Sequence, residues 1–118
     1  MKNEATGMNR IINAFKFSIK GIKSCYQSET AFKQEVWAVL VLVPASLFLT
    51  TSSIERALLI LPLFIVLITE VLNTAIESIV DRIGSEYNEL SGKAKDLGSA
   101  AVWLSLLLVI VTWSIILI

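Results

Sequence analysis

Apolar and polar positions along this chain follow two regimes. Between residues 10 and 28 they alternate with a helical period: Ile11, Ile12, Phe15, Ile19, Ile22 and Tyr26 fall within one arc of a 3.6-residue turn. Lys16, Lys20 and Lys23 occupy the neighbouring arc, at spacings of four and three. An apolar face bordered by lysines predicts an amphipathic helix lying in a membrane interface. A soluble amphipathic helix packed on a partner is the plainer alternative.

After residue 30 the periodicity gives way to long apolar runs. A first span is predicted from Ala31 to Leu49, with Lys33, Gln34 and Glu35 in its first turn and fourteen uncharged residues from Val36 to Leu49. Pro44 would damage a soluble helix, but neighbouring helices in a bilayer absorb the lost hydrogen bond. Ser52, Ser53, Glu55 and Arg56 read as a short polar connection. A second span covers 57–80, interrupted only by Glu70 and Glu77. At ~1.5 Å per residue it crosses a ~30 Å hydrocarbon core with some tilt. Residues 81–96 form a polar, charge-dense loop, and 97–118 a third span with no charge at all. The expected architecture is all-α: one membrane domain over 1–118, with an interfacial helix and three transmembrane helices.

Composition supports lipid as the solvent. Of 118 residues 55% are hydrophobic and the mean hydropathy is +0.74, whereas a soluble domain of this size must cover itself with polar groups. Ten basic and ten acidic residues leave no net charge, which argues against a nucleic-acid partner. There is no His, and Cys25 is alone, so zinc chemistry and an internal disulfide are not expected. The opening residues MKNEATGMNR do not read as a secretory signal. Six basic residues (Lys2, Arg10, Lys16, Lys20, Lys23 and Lys33) precede the uncharged stretch of the first span, against Arg56 alone in the next connection. Arg82, Lys93 and Lys95 lie in or beside the 81–96 loop, and none follows. The positive-inside rule therefore predicts a cytoplasmic N-terminus and a cytoplasmic 81–96 loop.

Chemistry concentrates on the second span. Glu70 and Glu77 are seven residues apart, on one face and about 10 Å apart along the axis. Asn73 between them and Asp81 beyond extend a polar ridge to the cytoplasmic end. Polar groups can simply join helices, but two glutamates within a span are costly and point to function. They suit either proton or cation exchange, or oxygen ligation of Mg²⁺ together with substrate phosphates. Glu29 at the same membrane face, with Glu86, Glu89, Lys95 and Asp96 nearby, favours a bound metal–polyphosphate. No P-loop, G-x-G-x-x-G or protein-kinase signature is present. The residues alone lead to a metal-using enzyme or an ion-handling protein at a membrane interface.

The segments AFKQE (31–35), EVLNTAIES (70–78) and above all VDRIGSEYNELSGKAKDLGSA (80–100) resemble bacterial diacylglycerol kinases of the Gram-negative type, and the resemblance spans essentially the whole chain. It implies a homotrimer in the bacterial inner membrane that transfers the ATP γ-phosphate to 1,2-diacylglycerol, giving phosphatidate. By motif, Glu70 matches the general base, and Glu29 and Glu77 match the ligands of Mg²⁺ or a similar ion. Arg10, Phe17, Glu29, Glu77, Glu86, Tyr87, Asn88, Lys95 and Asp96 match nucleotide-contacting positions. Arg10, Ala14, Phe15, Lys16, Lys23, Tyr26, Ala31, Gln34, Glu35, Phe48, Arg56, Glu70, Ser99 and Trp113 match positions along the lipid path. Phe17 stands where relatives commonly carry Tyr, and Asn88 where His is common. An undecaprenol kinase is the nearest alternative; a small proton-coupled exchange transporter and a structural membrane subunit are others.

One expectation concerns assembly. Ala94, Gly98, Ala101 and Ser105 form a ladder of small residues that permits close helix approach. Glu70 and Asn73 need an interior, which predicts association of subunits through the second and third spans. Packing of this face within a single subunit is the alternative.

Overall fold

The computed structural model describes residues 3–118, so Lys2, counted above among the N-terminal charges, lies outside the described residues. Every element described is helical: α1 (Gly7–Ser28), α2 (Thr30–Leu49), α3 (Ser53–Ile83) and α4 (Glu89–Leu117). The last three are each long and apolar enough to cross a membrane, and the chain reads as a multi-pass membrane protein.

Two predicted boundaries shift. The connection expected at 52–56 is largely helix, because Ser52 caps α3 by accepting the Glu55 amide at 3.3 Å. Serine with glutamate three residues on is the sequence pattern of a capping box. The expected 81–96 loop shrinks to 84–88. Asn88 caps α4, its side-chain oxygen accepting from Leu90 N at 3.0 Å and Ser91 N at 3.1 Å. Glu89 complements the helix dipole in the first turn, and Glu89 with Lys93 forms a favourable i,i+4 pair by sequence. Residues 89–96 are polar because they line the helix start, not because they are irregular.

A single residue separates α1 from α2. Glu29 adopts extended backbone (φ −113°, ψ 110°), closes α1 through its amide to Cys25 O at 2.9 Å, and opens α2 by accepting from Lys33 N at 3.1 Å. The three long helices then run antiparallel through the short turns at 50–52 and 84–88. Parity puts α1, Glu29 and the 84–88 turn at one end and the 50–52 turn at the other.

Packing is centred on α3, which lies mainly against α4 and next against α2. One stripe of α3 is buried: Leu59, Leu63, Val66, Glu70, Asn73 and Val80. Their spacings of four, three, four, three and seven are those of a helix seam. Gly98 and Ser105 of α4, with Phe32 and Ser46 of α2, are buried as well. The small-residue ladder is thus used inside the chain. A Cβ on Gly98 would overlap the Asn73 side-chain oxygen and stand 3.2 Å from Asn73 Cγ. Glu70 and Asn73 are 5% and 8% exposed in one chain, so the burial that had suggested association is already met internally. On α1 only Cys25 is buried among the described residues, and the stripe Ile11, Phe15, Ile19, Ile22 stays uncovered.

Candidate active site

The site grows from the polar ridge of α3. Asn73 donates through Nδ2 to Glu77 Oε1 at 2.9 Å, which fixes the Glu77 carboxylate and leaves its second oxygen free of that bond. The Asn73 side-chain oxygen is buried with no hydrogen-bond partner. Gly98 holds it in place by the close backbone approach described above. A buried amide oxygen without a partner costs free energy, and such atoms cluster where a ligand is meant to arrive.

Beside this pair lies a cavity of about 440 Å³ between α2, α3 and α4. Glu35 of α2 and Glu70 of α3 both line it, two carboxylates on one cavity wall. Glu35 Oε2 is buried and unpartnered, the second such atom among the described residues. Ala31, Gln34 and Ser99 share the wall with the apolar Val102, Trp103 and Leu106. One cavity therefore joins carboxylates to an apolar side, as a lipid alcohol requires: a polar group at the reacting atom and hydrocarbon around it.

Glu29 lies at the α1–α2 joint, and a side-chain contact ties that joint to α3. The Cys25 thiol donates to Thr74 Oγ1 at 3.6 Å, and Thr74 Oγ1 in turn donates to Glu70 O at 2.9 Å. Burial pushes the Cys25 thiol above its ordinary value, against the opposing Thr74 contact, so it stays a neutral donor. With α1 tied down there, Glu29 and Glu77 both lie within electrostatic reach of Glu70. No group of three or more His, Cys, Asp or Glu side chains is gathered for an ion among the described residues. Mg²⁺ does not require a full cage of protein ligands, because it keeps water and substrate phosphate oxygens in its shell.

A second concavity, of about 330 Å³, sits at the α3–α4 turn and brings together Asp81, Gly84, Glu86, Tyr87, Asn88 and Lys95. Lys95 Nζ is 2.7 Å from Asp81 Oδ1. Asn88 spends its side-chain oxygen on the helix cap, leaving the amide nitrogen for a ligand. Asp96 is exposed beside Lys95.

The other predicted residues are more dispersed. Arg10, Ala14, Phe15, Lys16, Phe17 and Lys23 are exposed along α1. Tyr26 is half-buried, accepts from Trp37 Nε1 at 3.1 Å and lies under the Lys33 ammonium at 5.5 Å. Phe48, Arg56 and Trp113 stand at the opposite end of the bundle from Glu77. Arg56 donates there to Thr50 O and Leu47 O at 3.0 Å each, and Trp113 Nε1 to Leu59 O at 3.0 Å. Asn73, Gly98 and Asp81 were not among the expected site residues. Asn73 and Asp81 were visible as members of the ridge, but nothing in the sequence announced the role of Gly98.

The family model for prokaryotic diacylglycerol kinase matches residues 16–117. The chain belongs to that family. It is 50% identical to the diacylglycerol kinase of Escherichia coli K12 over 117 residues, covering 99% of this chain and 96% of that one. Identity is 45% over 112 residues to the Pseudomonas aeruginosa diacylglycerol kinase (95% and 91% covered). It is 44% over 110 residues to that of Haemophilus influenzae (93% of each). Membership makes this member a membrane-embedded kinase, and ATP its co-substrate. Kinases need placement and charge neutralisation more than covalent help from protein.

Proposed function

We propose that this chain phosphorylates 1,2-diacylglycerol from ATP at the cytoplasmic face of the bacterial inner membrane, giving phosphatidate. The observation that carries the reading is the cavity in which buried Glu70 meets both a second carboxylate and an apolar wall. Glu70 is the base: it accepts the hydroxyl proton as the oxygen attacks the γ-phosphorus, the bond from that phosphorus to the β–γ bridging oxygen breaks, and ADP leaves. Glu29 and Glu77 would hold Mg²⁺, and a bound Mg²⁺ would neutralise charge on the phosphates. Asn73 fixes the Glu77 carboxylate, and Lys95 with Glu86, Tyr87, Asn88 and Asp96 receives the nucleotide at the α3–α4 turn. Ala31, Gln34, Glu35 and Ser99 border the path by which the glycerol hydroxyl reaches Glu70.

The uncovered apolar stripe of α1 supports its lying in the interface, where its lysines meet anionic headgroups. There it guides the lipid headgroup toward the carboxylates while the acyl chains stay in the bilayer. The N-terminus by its own basic residues, and the 84–88 turn by the flanking Arg82, Lys93 and Lys95, lie on the cytoplasmic side, where ATP is found. Assembly as a homotrimer is part of the proposal and rests on the resemblance, since one chain already buries its polar ridge. Crosslinking that stops at dimers, or a fully active detergent-solubilised monomer, would remove it.

The deciding experiment is transfer of radiolabel from γ-labelled ATP into extracted lipid, with and without Mg²⁺, offering diacylglycerol and undecaprenol in parallel. Mg²⁺-dependent label in phosphatidate is expected. Label in undecaprenyl phosphate alone would reassign the substrate, and ATP-independent ion flux in vesicles without lipid labelling would overturn the kinase reading.

A further inference from the structure

We propose that Asp81 is a positioning residue for nucleotide binding: it holds the Lys95 ammonium at the mouth of the α3–α4 concavity, ready for a phosphate. The inference rests on the assignment of Lys95 to the nucleotide site and adds to it a residue outside the set expected to touch substrate. Asp81 stands one turn beyond Glu77 on the polar ridge and lies 2.7 Å from Lys95 Nζ. Lys95 and Asp81 both line the concavity. Both partners are open to solvent, their side chains 45% (Lys95) and 66% (Asp81) exposed. Exposed ion pairs contribute little to stability, and the buried α3 seam already joins these helices. A structural reading therefore leaves the contact with almost nothing to do.

Positioning gives it a task. A lysine stem is flexible, and an unrestrained ammonium would spread over many rotamers in water. The ammonium has three donors; Asp81 takes one and leaves two for phosphate oxygens. The carboxylate thus orients the cation without using it up. Asp81 comes from α3 and Lys95 from α4, so the pair also fixes the phosphate-binding cation relative to Glu77, which sits on the same helix as Asp81.

The test uses the full chain in mixed micelles with Mg–ATP and diacylglycerol. Asp81→Asn should raise KM for ATP roughly five- to tenfold, with kcat and KM for diacylglycerol within about twofold and an unchanged thermal midpoint. Asp81→Glu should restore most of the ATP affinity. Lys95→Ala should raise KM for ATP at least as much, and the double variant Asp81→Asn/Lys95→Ala should be no worse than Lys95→Ala. Unchanged KM for ATP in Asp81→Asn, beside a raised value in Lys95→Ala, overturns the positioning role and leaves the nucleotide site standing. Fully multiplicative effects in the double variant, or a fall in thermal midpoint matching the kinetic loss, overturn it too. Normal ATP kinetics in Lys95→Ala removes the nucleotide assignment and this inference with it.

Discussion

The two ends of the helix bundle treat polar groups in opposite ways. At the 50–52 turn, polar groups satisfy one another: Thr50 Oγ1 donates to Glu55 Oε1 at 2.7 Å and Ser52 caps α3. Arg56 closes the last carbonyls of α2, and Trp113 reaches Leu59 O. At the Glu70–Glu77 end, two buried side-chain oxygens, Glu35 Oε2 and Asn73 Oδ1, have no partner, and Glu35 and Glu70 line one cavity wall. Both ends are polar and both sit at the rim of an apolar bundle. Polarity alone does not distinguish the two ends; unmet hydrogen-bonding capacity does.

That contrast can be broken most decisively at Glu70. Glu70→Gln should lower kcat by about 10²–10⁴-fold, the usual worth of a general base, while leaving Mg–ATP affinity nearly intact. Loss of ATP binding with normal turnover at saturation would refute the role. Glu77→Gln and Glu29→Gln come next, with activity falling by about a hundredfold or more at ordinary Mg²⁺ and only partial recovery at millimolar excess. Full activity in either variant would take that residue out of the metal shell.

A smaller effect is expected where packing supports chemistry. Gly98→Ala forces Asn73 to move, since the new Cβ has no room beside its side chain. Overpacking of this kind costs ~1–3 kcal/mol, and kcat should fall about tenfold as Glu77 loses its fixed orientation. Thermal denaturation with parallel assays checks both; a stable, fully active Gly98→Ala would mean that Asn73 can shift freely. The smallest effect belongs to the opposite end. Ser52→Ala removes a helix cap worth about 0.5–2 kcal/mol, lowering the thermal midpoint while kcat stays within about twofold. A rate loss there exceeding the stability loss would erase the distinction between the two ends.

The four helices were legible because apolar runs and a helical period are read along the chain, where sequence is complete. The connections expected at 52–56 and 81–96 prove shorter, because charged residues such as Glu55, Glu89 and Lys93 look like loop while the caps at Ser52 and Asn88 make them the opening turns of helices. Glu70 and Glu77 stood out by their cost in a span. Gly98 did not, because a glycine in an apolar helix carries no mark of what lies opposite it. Its part depends on the antiparallel register of α3 and α4, which puts Gly98 opposite Asn73 and Lys95 opposite Asp81.

The one-residue joint at Glu29 has a consequence for how this protein can change. A loop of several residues absorbs an insertion; a joint of one does not. Adding a single alanine between Ser28 and Glu29 would either lengthen α1 or turn the acidic side chain by about 100°, the angular step of a helix. In both cases the Cys25–Thr74 contact and the Glu29 carboxylate could no longer be met together. Chain length at this joint is therefore under tighter constraint than residue identity along most of α1. Variation in a population of such chains should accordingly appear as substitutions on the exposed face of that helix, with no gain or loss of residues at its hinge.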